Sequence, residues 1–225
     1  MSTHARGREE TSRGGIAFLL ALVALLHFVY PITLGGGVLN ALIYNVLYAG
    51  MFLAGIFVAS DSRRHLIASL ATALLWLICS VVYALDPGTL WKVLATYLAL
   101  LPFQATIVWV LLRHIFTARH VGRDVLLAAV PVYLLLAALF VPVYGVMEAL
   151  APGSFVDNGA AGPVFWQQFI YFSLTTLTTT GYGDILPVSP WARAVANMEQ
   201  VIGVLYMATL MARLVGIYSQ ERPSG

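Results

Sequence analysis

Charge is scarce in this chain: Asp, Glu, Lys and Arg make up 10% of its 225 residues. A soluble domain carries about 25%. Apolar residues reach 60%, more than a soluble protein of this length can hide, so a membrane is the natural solvent. The formal net charge of +2 is spread thinly, without a basic run, which excludes a nucleic-acid partner. There is one cysteine, Cys79, inside an apolar run. A single thiol builds neither a disulfide framework nor a zinc site, and we read it as a small packing residue. The apolar runs hold no nucleophile–base pair and no cluster of metal ligands, so we expect no enzyme. We expect no cleaved signal peptide either. The polar start, Met1–Gly15 with Arg6, Arg8 and Arg13, leads into an apolar run at Ile16 that another follows almost at once, which marks a retained span.

Long apolar runs are what the chain has in abundance. A helix crosses the hydrocarbon core with about 20 residues. Six stretches qualify: Ile16–Leu34, Val38–Ser60, His65–Leu85, Leu90–Leu112, Asp124–Leu150 and Pro190–Ile217. A seventh, Val164–Thr178, is too short to span and reads as a re-entrant helix. Pro31, Gly35-Gly36-Gly37 and Asp86-Pro87-Gly88 mark breaks between runs. Basic residues in short loops set the orientation. With a cytoplasmic N-terminus, Arg6, Arg8, Arg13, Arg63, Arg64, Arg113, Arg119, Arg123, Arg213 and Arg222 all lie inside, and Lys92 and Arg193 outside. Both termini are then expected to be cytoplasmic. Asp86, Glu148, Asp157 and Asp184 face out, and Trp91, Trp109 and Trp191 fall near interfaces, as an aromatic belt requires.

The informative segment is Thr175–Asp184, Thr-Thr-Leu-Thr-Thr-Thr-Gly-Tyr-Gly-Asp, set between the half-length helix and the last long run. This order of outer helix, short helix, Gly-Tyr-Gly-Asp and inner helix resembles the pore module of the potassium channel family. The resemblance is to the prokaryotic type with one pore loop per chain, which implies a plasma membrane of the bacterial inner-membrane type, and it covers about Asp124–Ile217. It implies a selectivity filter at Thr179, Thr180, Gly181, Tyr182 and Gly183, with K+ held at Thr179, Thr180, Gly181 and Tyr182. The family's usual filter is Thr-Val-Gly-Tyr-Gly, and Thr180 is the one departure. The chemistry suits these residue types. An ion entering a narrow pore exchanges its water for rings of oxygen. Successive carbonyls face one axis only in backbone conformations that glycine at 181 and 183 permits. The Thr179 hydroxyl can add a further ring of oxygen at the inner end. The negative end of the short helix would favour a cation in the cavity below. Phe165, Trp166, Phe169, Tyr171 and Phe172 are expected to form an aromatic cuff around the filter. One motif per chain implies a homotetramer, since four close a ring. The predicted fold class is an all-α membrane protein: six transmembrane helices plus a re-entrant pore helix and extended filter.

The resemblance also implies supporting residues. In two-span bacterial members a pore-helix carboxylate pairs with the aspartate after the filter. Here Asp184 is that aspartate and Thr175 stands in place of the carboxylate, so the pair is absent. Tyr171 stands where those members carry a tryptophan donor, and we expect a Tyr171–Asp184 hydrogen bond. Gly203 matches the gating hinge, with close helix packing as the alternative. Gln200, Val204, Met207, Met211 and Val215 are expected to line the pore, mostly apolar and suited to a dewetting gate. Glu199 is an acid deep in a span. It is expected to support the filter by a hydrogen bond to the pore helix, as a neutral acid, or to sense pH. His27 is read as a packed neutral histidine in the first span.

The remaining regions are assigned by exclusion. We divide the chain into a cytoplasmic tail (1–15), a four-helix region without a sensor (16–112), a basic connector (113–123), the pore domain (124–217) and a second cytoplasmic tail (218–225). The basic connector reads first as positive-inside topology, and Arg119 and Arg123 alternatively suit an anionic lipid head group. No ligand-gating domain is expected within Tyr218–Gly225, and no cofactor beyond the transported K+. Competing readings are a weakly selective cation channel, a potassium transporter with divergent filter loops, and a non-conducting scaffold or accessory subunit. A voltage sensor moves several charges through the field, each worth about 2.3 kcal/mol per 100 mV. Leu90–Leu112 holds only Lys92, with no arginine at every third position. Opening is therefore expected to be insensitive to voltage. Single-channel recording in planar bilayers checks this, and a steep rise in open probability on depolarisation would refute it.

Overall fold

The computed structural model describes residues 3–29, 43, 46–54, 63–85, 89–117, 123–159, 162 and 164–221. Its helices are α1 (Thr3–Phe28), α2 (Arg63–Leu85), α3 (Leu90–Thr117), α4 (Arg123–Leu150), α5 (Trp166–Leu177) and α6 (Pro190–Glu221). Residues 46–54 are also helical. Two strands, β1 (Phe155–Asp157) and β2 (Ile185–Pro187), pair antiparallel.

Four helices among the described residues are long and apolar enough to cross a membrane: Leu66–Tyr83, Leu90–Thr117, Val125–Leu150 and Pro190–Gly216. The apolar part of α1, Gly14–Phe28, is shorter than that. The rest of the expected first span, and both ends of the expected second, Val38–Ser60, lie outside the described residues. So do residues 118–122 of the connector, Arg119 included, and the tail beyond Glu221. α3 continues through Arg113 and His114 to Thr117, so the connector's first residues are helical. Threonine hydroxyls along these helices bond back to their own backbone, as Thr72, Thr106 and Thr209 do to the carbonyls of Ala68, Pro102 and Leu205. That is the partner left to a hydroxyl where the solvent offers none.

α4 is the hub. Two thirds of its apolar span is buried inside a single chain, against about a fifth for α6. α1, α3, α5 and α6 all pack against it. A helix apolar on every side suits that position. α2 joins through α3, and Thr96 of α3 donates to the Cys79 carbonyl of α2 at 3.2 Å. The helical residues 46–54 add Tyr48 and Phe52, whose rings contact Trp76, and Phe52 also meets Phe103. At the far end of α6, Arg213 Nε donates to the Ile115 carbonyl in the last turn of α3 at 3.1 Å. A cation is stabilised there by the negative end of the helix.

The hairpin departs from an all-α fold. Phe155 faces Pro187, and Asp157 faces Ile185, so the chain after α4 is pinned to the chain before α6. Three-residue strands carry too little alternation to be read from sequence; only their tertiary pairing defines them. Phe155 drops from β1 into a cluster with Tyr144, Phe169 and Phe172, at ring centroid distances of 4.9–5.5 Å among its contacts. The expected cuff is thereby divided. Phe169 and Phe172, one turn apart, face this core, while Phe165 is exposed and Tyr171 points to the opposite side. Helical periodicity forces this split, since one helix cannot aim five aromatic residues at one target. Phe155→Ala should cost about 3 kcal/mol through the cavity it leaves. A lowered thermal midpoint of the detergent-solubilised protein is the expected readout, and an unchanged one would remove the cluster's structural role.

Candidate ion-conduction site

Gln168 starts the site. Its Oε1 accepts the Phe165 N–H at 2.7 Å, satisfying one free amide of the first turn of α5. Its Nε2 donates to Asp157 Oδ2 at 2.5 Å, tying the start of α5 to β1. Glu148, at the end of α4, accepts the N–H groups of Gly153 and Phe155 and so shapes the turn into β1.

The last turn of α5 leaves carbonyls without partners inside the helix, and the next segment supplies amides to them. Thr179 N–H donates to the Thr176 carbonyl at 2.9 Å. Thr180 and Gly181 N–H both donate to the Thr175 carbonyl, at 2.8 and 3.2 Å. Every described peptide bond here is trans, and a trans peptide holds its C=O opposite its N–H. The carbonyls of Thr178, Thr179 and Thr180 therefore aim away from α5, towards an exposed face. Thr179, Gly181 and Gly183 have φ of +58°, +55° and +80°, while Thr180 and Tyr182 between them do not enter that region. A regular strand turns successive carbonyls to opposite sides; backbone that alternates in hand turns them to one. The left-handed conformation costs a β-branched residue about 1–2 kcal/mol, so Thr179 is held there by the bonds around it.

The far end is anchored separately. Tyr171 OH donates to Asp184 Oδ2 at 2.7 Å, and Ile185 N–H donates to Oδ1 at 3.0 Å. Partial burial raises the Asp184 carboxyl, but these bonds outweigh it and hold the group below its usual value. The Tyr182 ring stacks on Tyr171 with centroids 6.3 Å apart and planes within 6°. Asn158, just past β1, donates its N–H to the Asp184 carbonyl at 2.8 Å and its side-chain amide to the Gly183 carbonyl at 3.4 Å. The Thr175 side chain bonds the Phe172 carbonyl of its own helix, so Thr175 supports the segment through its backbone oxygen.

Behind this segment, one stripe of α6 is buried: Ala192, Ala196, Glu199, Gly203, Tyr206 and Leu210. The steps of four and three are those of a packed helical seam. At Gly203 an added Cβ would run into the Leu177 carbonyl at the end of α5. Tyr133 OH of α4 donates to that same carbonyl at 3.3 Å, and Tyr206 OH joins α6 to the Ala129 carbonyl of α4 at 2.8 Å. Glu199 is fully buried, with Ser173 Oγ 2.5 Å from its Oε1 and the Tyr144 hydroxyl donating to Oε2. Val204, Met207, Met211 and Val215 lie on the exposed side of α6, and Gln200 is half-buried. His27 is buried and its Nδ1 lies 2.8 Å from the Val23 carbonyl. Sequence reasoning missed Tyr133, Tyr144, Gln168, Ser173 and Tyr206. All are polar residues in apolar helices, which was the signal available.

Comparison with known proteins follows the same geometry. The family model described as "Ion channel" matches residues 129–220, which take in most of α4, all of α5, the segment after it and α6 to its penultimate residue. The inward rectifier potassium channel Kirbac3.1 of Paramagnetospirillum magnetotacticum is 34% identical over 80 residues, covering 34% of this chain and 23% of that protein. The calcium-gated potassium channel TvoK of Thermoplasma volcanium is 42% identical over 53 residues, covering 24% of this chain and 15% of that protein. The potassium channel protein kcv of Paramecium bursaria Chlorella virus 1 is 32% identical over 80 residues, 34% of this chain and 80% of that protein. This chain thus spans less than a quarter of the first two relatives and most of the third. No solved structure matches it. A pore-sized relative covered over most of its length, and an ion-channel model laid on the same helices, define the class: the chain belongs to the potassium channel family.

The packing of Gly203 yields a test. Gly203→Ala must push the end of α5 away from α6, at a cost of about 1–3 kcal/mol. A thermal midpoint below wild type is expected; an unchanged midpoint would leave the hinge as the glycine's whole purpose.

Proposed function

We propose that four copies of this chain form a pore that conducts potassium selectively and passively across a plasma membrane. The observation that carries this reading is the row of carbonyls from Thr178 to Thr180, turned to an exposed face by amides bonded back onto α5. One row cannot encircle an ion. Four rows around an axis give stacked rings of oxygen that replace the hydration shell. Thr179, Thr180, Gly181, Tyr182 and Gly183 are the filter in this reading, with K+ as cargo at Thr179 to Tyr182. Asp184, Tyr171, Thr175 and Glu199 support it. α5 is the pore helix, and its negative end favours a cation in the cavity beneath. The exposed Val204, Met207, Met211 and Val215, with Gln200, then line the cavity and a dewetting gate. Gly203 serves the bending of α6 as well as its close approach to α5.

Around this pore the chain crosses the membrane six times, with both termini cytoplasmic. The four leading spans act as a scaffold without a voltage sensor, and Arg119 and Arg123 meet anionic lipid. Purified protein in liposomes with a potassium gradient tests the core of the proposal. We expect potassium flux blocked by barium, a bi-ionic reversal potential favouring potassium over sodium, and loss of both in Gly183→Ala, where φ is +80°. Equal permeability to the two ions would make the chain a weakly selective cation channel. No flux at all would make it a non-conducting scaffold or accessory subunit.

A further inference from the structure

We propose that Glu199 is a positioning residue for conduction: as a protonated acid it knots α4, α5 and α6 together behind the filter. The inference rests on the reading of the chain as a potassium channel. It starts from a count of protons. Three close oxygen contacts meet at this point. Tyr144 OH meets Glu199 Oε2, Ser173 Oγ meets Glu199 Oε1 at 2.5 Å, and Ser173 Oγ meets the Ala137 carbonyl at 2.6 Å. Each contact needs one proton. Tyr144 and Ser173 carry one each, and a carbonyl carries none. The third proton belongs to Glu199. Ser173 then donates to the Ala137 carbonyl, Glu199 Oε1–H donates to Ser173, and Tyr144 donates to Glu199 Oε2.

The surroundings fit a neutral acid. Glu199 and Ser173 are each 0% exposed. Among the described residues no basic side chain hydrogen-bonds Glu199. On α6, Arg193 is bonded to the Pro187 carbonyl and Arg213 to that of Ile115, at opposite ends of the helix. On α4, Glu148 is held by the turn into β1, and Tyr133 is bonded to Leu177. Tyr171, the titratable group of α5, is bonded to Asp184, and β2 carries no titratable residue. Tyr206, one turn beyond Gly203, is bonded to Ala129. An ionised Glu199 would have no counter-charge beside it, and Ser173 could then serve the carboxylate or Ala137 but not both.

The consequence reaches the filter through α5. Ser173 lies one turn before Leu177, and the carbonyls of Thr175 and Thr176 between them hold the amides of Thr179 to Gly181. A lateral shift of α5 therefore moves the carbonyl row.

Glutamine can donate to Ser173 and accept from Tyr144, so Glu199→Gln preserves the knot, whereas Glu199→Ala leaves both hydroxyls unpartnered. Wild-type liposomes are measured first, and absence of potassium flux there would remove the channel reading itself. Given flux, Glu199→Gln should keep the potassium-to-sodium permeability ratio within about twofold of wild type, and Glu199→Ala should lower it about tenfold. Wild-type selectivity should also fall reversibly as pH rises well above neutral, with no such fall in Glu199→Gln. If the glutamine variant behaved like the alanine variant, or shared the alkaline loss, the proposal would be overturned. Infrared spectroscopy gives a readout that needs neither conduction nor a folded variant. The wild-type protein in detergent at neutral pH should show the carbonyl stretch of a protonated carboxylic acid that disappears at high pH. Its absence at neutral pH would refute the protonated state.

Discussion

The candidate conduction site depends on where the amides of Thr179, Thr180 and Gly181 go. A chain in an apolar medium cannot leave backbone polar groups unpaired. The last turn of α5 has carbonyls to spare, and the segment after it has amides to spare. Each satisfies the other. The direction of three carbonyls then follows from peptide planarity, with no side chain needed to aim them. The left-handed backbone at Thr179, Gly181 and Gly183 is the local cost of this arrangement.

The surrounding contacts keep α5 still. Its start is tied by Gln168 to β1, its middle by Ser173 to α4 and α6, and its end by Tyr133 and the close approach of Gly203. The far end of the segment after α5 is tied by Tyr171, Asp184 and Asn158. α4 contributes two of these anchors, the Ala137 carbonyl and the Tyr133 hydroxyl. The carbonyl row and the apolar side of α6 are left exposed.

Legibility in the sequence followed the range of the interactions. The Gly-Tyr-Gly-Asp segment, the half-length helix before it and the long helix after it are local patterns; the short helix could be placed within two residues, and the start of the long one at Pro190, though it runs four residues past the expected Ile217. The Tyr171–Asp184 bond joins residues thirteen apart, and it could be anticipated from matched positions in a familiar module. Glu199 drew notice as an acid in an apolar run, but its partners did not. Tyr144 lies 55 residues away and Ser173 26 residues away, and neither is unusual where it stands. The hairpin was missed for the same reason. The five-residue cuff failed because composition counts aromatic residues without regard to the face each one takes.

The sequence by itself determined the membrane solvent, the order of the helices and the residue types of the segment between α5 and β2. Those follow from apolar length, charge placement and the backbone freedom of glycine, all properties of neighbouring residues. The tertiary structure decided which way the carbonyls face, which stripe of α6 is buried, and that an acid lies within it. Those depend on contacts between helices far apart in the chain, where packing and the pairing of buried polar groups choose among conformations that local sequence leaves equivalent.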